Sequence, residues 1–269
     1  MSRVTARRPT LRITPAGAIQ RPDTLAVEEP LEIRTAGKSL TVTMRTPGAD
    51  IDLIHGFLLT EGIITSREDI RTARYCAGTD ENGQNTYNVL DIQFRHPTPI
   101  TPRNFLTNSA CGLCGKTALD EVRTRLPCPL PDPVPLIDVD TLAKLPTELR
   151  ARQQVFDATG GLHAAGLFTP DGTALAVRED IGRHNAVDKV IGWALRENAL
   201  APNLTLMVSG RASFELVQKA AMAGIPLLGA VSAPSSLAVD LATETTLTLI
   251  GFLRGNTMNI YSTPDRIKR

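Results

Sequence analysis

Two cysteines spaced as C-x-x-C, Cys111 and Cys114, have the clearest chemical potential in this sequence. Two thiols at this spacing are typical of redox exchange, of sulfur transfer or of half a zinc site. The stretch from Ala110 to Thr117 also reads A-x-x-x-x-G-K-T, one residue away from a phosphate-binding P-loop. The surrounding sequence must therefore separate these chemistries.

The residues around the motif argue against a P-loop and against zinc. A P-loop follows an apolar strand, whereas the preceding TPRNFLTNS is polar and interrupted by proline. Structural zinc needs four ligands, and the other two cysteines, Cys76 and Cys128, are isolated. None of the four histidines is followed two residues later by Glu, as the zinc deaminase pattern requires. Thiol chemistry is the better hypothesis.

Two kinds of thiol chemistry stay open on these residues alone. Gly112 and Gly115 alternate with the cysteines and predict a flexible loop, which suits a mobile sulfur carrier. A thioredoxin-like exchange is also compatible, because a helix start and Lys116 would favour the thiolate. Residue patterns do not decide between a redox pair and a sulfur relay.

Composition excludes several broad classes of function. The net charge of +1 gives no support for general binding to nucleic acid or to a membrane surface. Aromatic residues make up 4%, which argues against a stacking platform for single strands. No apolar run is long enough for a membrane span and no secretory signal is visible, so we predict a soluble cytoplasmic protein.

The pattern of apolar residues predicts an α/β protein with two unequal parts. Residues 1–22, rich in arginine, predict a disordered arm. Residues 23–107 predict a small N-terminal α+β domain with a hairpin at 31–46 and a helix at 47–64. Residues 108–135 hold the C-x-x-C loop, a helix and a proline-rich connection. Residues 136–269 alternate apolar strands with helices, which is typical of an α/β sandwich.

Several long segments resemble the formate dehydrogenase accessory sulfurtransferase family, FdhD/NarQ. They span about residues 28–262 and include EEPLEIR, GFLLTEGII, SACGLCG, GGLHAAGLF, REDIGRHNAVDKVIG, SGRASFELVQKAAMAGIPLL, APSSLAVDLA and TLIGFLRGNTMNIYS. The resemblance implies a cytidine-deaminase-like α/β core and a homodimer. It also implies sulfur transfer from a cysteine desulfurase to the molybdenum of the bis(molybdopterin guanine dinucleotide) cofactor, before that cofactor enters formate dehydrogenase.

The resemblance also assigns candidate site residues. Cys111 matches the position that carries the persulfide, and Cys114 matches its partner. The cofactor-binding stretch corresponds to Phe252, Leu253, Arg254, Gly255, Asn256 and Thr257. Arg254 is the only basic residue of that stretch, which reduces its capacity for phosphate contacts.

Three further residues follow predicted strand ends and are expected to contact the cofactor phosphates. Arg183 and His184 stand at a predicted helix start, where backbone N–H groups favour anions. Arg211 follows Ser209-Gly210 in a strand–glycine–helix turn, a preferred ligand position in open α/β sheets. GDP is the expected simple analogue of the cofactor, and no resident metal is expected.

Overall fold

The structure, a computed structural model, describes residues 4–76, 78, 86–96 and 130–269. Its N-terminal part begins with an antiparallel hairpin, β1 (Thr5–Thr14) and β2 (Gly17–Ala26). This hairpin differs from the disordered arm that we expected for residues 1–22. Its two prolines, Pro9 and Pro22, lie opposite each other. Proline has no N–H, so a strand accepts it only where that N–H is not needed for a hydrogen bond to the neighbouring strand. Its strands are mostly exposed, so the usual alternation of buried apolar residues did not reveal them.

A four-stranded sheet and a helix form the rest of the N-terminal part. The sheet has the order β4-β3-β6-β5. Its strands are β3 (Glu29–Thr35), β4 (Lys38–Arg45), β5 (Ile70–Tyr75) and β6 (Val89–Phe94). Helix α1 (Asp50–Thr60) follows β4, and a short 3-10 turn spans Arg67–Asp69. The hairpin and the helix predicted from residues 31–64 are thus confirmed.

A six-stranded sheet in the order β13-β12-β11-β10-β8-β9 forms the centre of the C-terminal part. Its strands are β8 (His163–Phe168), β9 (Ala174–Asp180), β10 (Thr205–Val208), β11 (Leu227–Ala230), β12 (Thr248–Arg254) and β13 (Thr257–Ser262). Its helices are α2 (Val139–Arg150), α3 (Gln154–Thr159), α4 (Arg183–Arg196), α5 (Phe214–Met222) and α6 (Ser236–Glu244). Two short strands, β7 (Ile137–Asp138) and β14 (Ile267–Lys268), pair beside it, and a 3-10 turn spans Pro264–Arg266.

Apolar side chains cover this sheet on both faces. One core joins α1, α4, α5 and α6 to residues such as Leu206 and Leu228, whereas α2 packs over Met207 and Leu227 on the other face. Strands buried on both faces read as nearly continuous apolar runs, which is why the sandwich was predictable. The α/β fold class is confirmed.

Helices α1 and α4 cross so closely that two glycines are required at the crossing. A Cβ atom on Gly56 would lie 1.8 Å from the carbonyl oxygen of Asp188, and one on Gly192 would lie 1.8 Å from that of Asp52. The larger core also continues from the N-terminal sheet into these helices. The two parts therefore pack as neighbours with a shared core, while the domain boundaries, including the one at residue 107 outside the described residues, stay predictions.

Candidate functional site: an edge of the central sheet that gathers cations and helix starts

The loops that carry the predicted binding residues meet at one edge of the six-stranded sheet. Strands β10, β11 and β12 run parallel, so their carboxyl ends share that edge. Strand β8 runs antiparallel to β10, which places its first residue, His163, at the same edge. The register pairs His163 with Asp180 at the end of β9. The edge therefore unites the segments that begin α4, α5 and α6 and the β12–β13 turn.

The start of α4 follows directly from the end of β9. The Asp180 carboxylate accepts hydrogen bonds from Gly182 N at 2.8 Å and from Thr46 N at 3.2 Å, and it pairs with Lys189 Nζ at 2.7 Å. The N-cap of α4 is Gly182, which contributes no side-chain cap. Because Asp180 is held in this buried ion pair, it does not cap α4. The N–H groups in the first turn of α4 therefore donate no hydrogen bond to a capping side chain.

Arg183 occupies the first turn of α4 and is half-buried. Its Nε atom is buried and has no hydrogen-bond partner in the part of the chain that the structure describes. A buried, unpaired guanidinium donor is costly, since it has lost water without gaining an acceptor. An anion bound at this edge would supply that acceptor.

His184 links the starts of α4 and α5. Its Nε2 atom lies 3.4 Å from Ser213 Oγ and 3.6 Å from Glu215 Oε2. The neighbouring His184 imidazole lowers the pKa of Glu215 to about 2. Glu215 is therefore ionised at neutral pH and orients the imidazole at the edge.

His163 completes this cluster, although the sequence placed it outside the predicted set. Its ring packs against Gly210, where a Cβ atom would approach Nδ1 to 3.4 Å. Burial, and then the positive charges of Arg183 and His184, lower the pKa of His163. It is consequently a neutral hydrogen-bonding group at pH 7. The glycine pair before it was the available sequence signal, since glycines permit a close approach.

Arg211 lies in the loop between β10 and α5 and is exposed. This loop is fixed to the next one by backbone hydrogen bonds, from Ser232 N to Gly210 O at 3.2 Å and from Ala212 N to Ala233 O at 3.2 Å. No acidic partner of Arg211 occurs among the residues with described positions. A fixed backbone thus presents a cation with no competing carboxylate.

The predicted stretch from Phe252 to Thr257 forms the end of β12 and the turn into β13. Phe252 has a positive φ of 52° at an irregularity of the strand pairing and is 40% exposed. Such a conformation is strained for a bulky residue and commonly marks a functional position. Arg254 is exposed, and its Nε donates to Val231 O at 3.0 Å. Leu253 is fully buried, so only its backbone could reach a ligand.

The remaining candidates are the two cysteines of the C-x-x-C motif. Cys111 and Cys114 lie outside the described residues, as do Lys116 and Cys128. Cys76 is half-buried and forms no disulfide with any residue that the structure describes. Within the described ranges no three His, Cys, Asp or Glu side chains are grouped as a metal site. No helix in those ranges combines the length and apolar character needed to cross a membrane.

The fold and this edge define a mixed α/β protein that gathers arginines, histidines and helix starts at the carboxyl ends of parallel strands. Residues 26–268 match the model of the FdhD/NarQ family, and the chain belongs to that family. It is 71% identical to the sulfur carrier protein FdhD of Nocardia farcinica over 99% of this chain and 96% of that protein. It is 58% identical to the protein of that name from Mycolicibacterium paratuberculosis over 98% of this chain and 99% of that one.

A solved structure shares the fold. It is the crystal structure of a formate dehydrogenase accessory protein from Desulfotalea psychrophila, with a TM-score of 0.78 at 24% identity, covering 99% of this chain and 100% of that one. At this identity the likeness supports the fold alone. The fold class predicted from strand and helix alternation thus agrees with an experimental structure.

Proposed function

We propose that this protein is a sulfur carrier for the maturation of formate dehydrogenase. In the proposal, Cys111 takes sulfur from a cysteine desulfurase and passes it to the molybdenum of bis(molybdopterin guanine dinucleotide), the substrate, before the cofactor is inserted. Support comes from the names of the curated relatives, which cover nearly the whole chain. The observation that carries the substrate class is the edge with unpaired cations and three helix starts.

The edge suits the guanine dinucleotide end of such a substrate. Helix starts and guanidinium groups are the usual ligands of phosphates in proteins. Arg183 offers a buried Nε that has no hydrogen-bond partner among the described residues, and Arg211 offers an exposed guanidinium. Phe252 projects from the β12–β13 region and provides an aromatic face of the kind on which bases stack. These residues would hold the nucleotide, while the molybdenum would be positioned for the cysteine loop.

The sulfur steps follow from thiol exchange. The Cys111 thiolate attacks the outer sulfur of the donor's persulfide, so that Cys111–S–SH forms and the donor leaves as a thiolate. Attack by the Cys114 thiolate on the Cys111 sulfur would release HS⁻ toward molybdenum and leave a Cys111–Cys114 disulfide. A cellular dithiol would then have to reduce this disulfide. Alternatively, Cys114 shares the sulfur without forming the disulfide.

Mass spectrometry of the intact protein tests the carrier role. We expect incubation with a cysteine desulfurase and cysteine to add one sulfur atom that a reductant removes. The gain should be lost in Cys111→Ala and retained, at least transiently, in Cys114→Ala. No gain on any form with an active desulfurase would overturn the proposal.

That negative result would favour a second candidate, a cofactor-binding chaperone without sulfur transfer. The cations gathered at the edge would hold the cofactor in that candidate as well. Guanine nucleotide binding is common to both candidates. Normal maturation of formate dehydrogenase with both motif cysteines replaced by alanine would decide for the chaperone.

A further inference from the structure

The β1–β2 hairpin leaves most of its surface exposed. At its tip (residues 11–19), Leu11, Ile13 and Ile19 are 56%, 77% and 62% exposed. A two-stranded sheet buries little surface by itself, and neighbouring apolar side chains with this exposure mark an interaction site. The match to the family model begins at residue 26, where the hairpin ends. A role of the hairpin therefore lies outside what that match implies.

Three exposed arginines share one face of the hairpin. Side chains alternate between the two faces of a strand, so Arg8 and Arg12 lie on the same face of β1. Arg21 on β2 lies opposite Thr10, between them, and so joins that face. Asp23, the single acid of the hairpin, lies opposite Arg8, but its carboxylate accepts a hydrogen bond from the next backbone N–H at 3.0 Å. We call this group of three arginines the arginine face.

The arginine face has the capacity to bind carboxylates of another molecule. Within the part of the chain that the structure describes, none of its three guanidinium groups forms a salt bridge. Guanidinium groups bind carboxylates in a bidentate manner, with charge-assisted hydrogen bonds. Arginine is also enriched in the energetically important centres of protein interfaces.

The two prolines of the hairpin argue against the addition of another strand. Because neither Pro9 nor Pro22 has an N–H, their pair suits a ladder position whose N–H groups would point away from the neighbouring strand. The outer edges of both strands thus lack a donor near the middle, where an added strand would need one. A partner should therefore bind a face and the tip of the hairpin rather than extend its sheet.

The base of the hairpin is fixed beside the candidate site. Strand β2 packs against α3, and a Cβ atom on Gly161 would lie 3.9 Å from the Cβ of Ala26. The Glu179 carboxylate accepts hydrogen bonds from two backbone N–H groups in the first turn of α3, at 2.9 and 2.8 Å. Glu179 directly precedes Asp180, and Gly161 lies two residues before His163, both at the carboxyl edge of the sheet. A partner on the hairpin would therefore lie near that edge.

We propose that the hairpin docks the acceptor protein, cofactor-free formate dehydrogenase, at a surface where carboxylates border an apolar strip. The carboxylates would pair with the arginine face, and the apolar strip would cover Ile13 and Ile19. The acceptor is favoured over the sulfur donor because the hairpin is rooted at the edge proposed to hold the cofactor, which the acceptor must reach. This inference rests on the proposed function and adds the surface on which the acceptor binds.

Two other anionic partners fit the hairpin less well. Neither of its strands contains an aromatic residue on which a nucleic-acid base could stack. Among the described residues no third strand pairs with the hairpin, so its outer backbone groups need water. The hydrocarbon of a membrane does not supply it. A hydrated protein surface satisfies these groups and also offers carboxylates.

Charge reversal on the arginine face tests the docking. Arg12→Glu/Arg21→Glu should weaken binding of purified cofactor-free formate dehydrogenase at least about tenfold by biolayer interferometry, because like charges would meet. Arg71→Glu/Arg74→Glu reverses two exposed arginines on β5 and is the matched control, which should keep the wild-type affinity. Raising NaCl from about 50 to 300 mM should weaken wild-type binding more than binding of the hairpin variant.

Substitution at the tip tests the apolar part of the contact. Ile13→Ser/Ile19→Ser should weaken binding of the acceptor without changing its salt dependence, since no charge is altered. Both side chains are exposed, so the variant should stay folded, which thermal unfolding verifies. Wild-type affinity in both hairpin variants, or a wild type that does not bind the acceptor, would overturn the proposal.

Further assays separate this proposal from the proposed function and from other partners. Both hairpin variants should take up sulfur from the desulfurase, bind GDP and sediment as the wild type does. Loss of sulfur uptake in these variants alone would make the donor the docked protein, and an altered oligomeric state would make it a second copy. Binding to phosphatidylglycerol vesicles that only the variants lack would indicate a membrane. Each of these results would overturn the proposal, whereas a wild type that takes up no sulfur would overturn the sulfur-carrier function instead.

Discussion

The junction between the two parts of the protein and the candidate site at the sheet edge both concentrate charged residues, but the charges are paired only at the junction. At the junction the charges are paired: Arg178 pairs with Asp52 at 3.2 Å, and the buried Lys219 pairs with Asp188 at 2.9 Å. At the edge, Arg211 and the buried Nε of Arg183 lack such partners among the described residues. Paired charges specify one packing arrangement, whereas unpaired cations leave binding capacity for an anion.

Breaking the close helix crossing should have the largest effect on stability. In Gly56→Val the new Cβ would overlap the Asp188 carbonyl, which is backbone and cannot move without shifting α4. We expect a loss of at least about 3 kcal/mol in the free energy of unfolding, measured by urea titration. Gly160→Ala removes a glycine with open space around it and a positive φ, so it should cost only about 1 kcal/mol. Equal losses would contradict the role of the crossing.

Removing one acid of the junction should have the next largest effect. Asp188→Ala leaves Lys219 buried without its carboxylate, and we expect a loss of about 3–5 kcal/mol. Asp240→Ala, an exposed acid on α6, should stay within about 0.5 kcal/mol of wild type. The contrast would shrink if the Glu61 carboxylate, 3.9 Å from Lys219 Nζ, took over the pairing, and chemical denaturation of the two variants would show it.

Changing the edge cations should affect binding much more than stability. We expect Arg183→Ala and Arg211→Ala each to weaken GDP binding about 10–100-fold by calorimetry, the range for a charged hydrogen bond of about 1.5–3 kcal/mol. Stability should change little, because neither guanidinium has an acidic partner in the described structure. Arg152→Ala, an exposed arginine paired with Glu148, is the control and should leave GDP affinity unchanged. GDP should bind without being hydrolysed, and hydrolysis that depends on Lys116 would instead indicate a P-loop.

The smallest effect concerns pH. Burial lowers the pKa of His55 below its ordinary 6.5, so the unfolded chain binds a proton more readily than the folded one. Stability should therefore fall as the pH drops below 6.5 toward the folded-state pKa, and it should be full above 6.5. His55→Gln should flatten the pH dependence of the melting temperature between about pH 5 and 7. Above about pH 5 Glu215 does not contribute to the pH dependence of stability. Its stabilisation is lost only as the pH falls from 4.5 toward its folded-state pKa of about 2. An unchanged slope in the variant would exclude His55 as its source.

Much of the fold was predictable because the strands and helices of the C-terminal part bury apolar residues with clear periods. The runs that became β10 and β11 are buried at every position. The β1–β2 hairpin was wrongly expected to be disordered, because its strands bury almost nothing and no periodic signal results.

The sequence by itself determined the kinds of chemistry available: the C-x-x-C thiols, the arginines after strand ends and the family to which these motifs belong. Local patterns suffice for this, because residue type and spacing along the chain carry the information. Only the tertiary structure decided that Arg183, His184, His163, Arg211 and Phe252 share one edge. Strand order depends on contacts between residues far apart in the chain. The spacing of residues along the sequence does not determine which of these distant strands become neighbours.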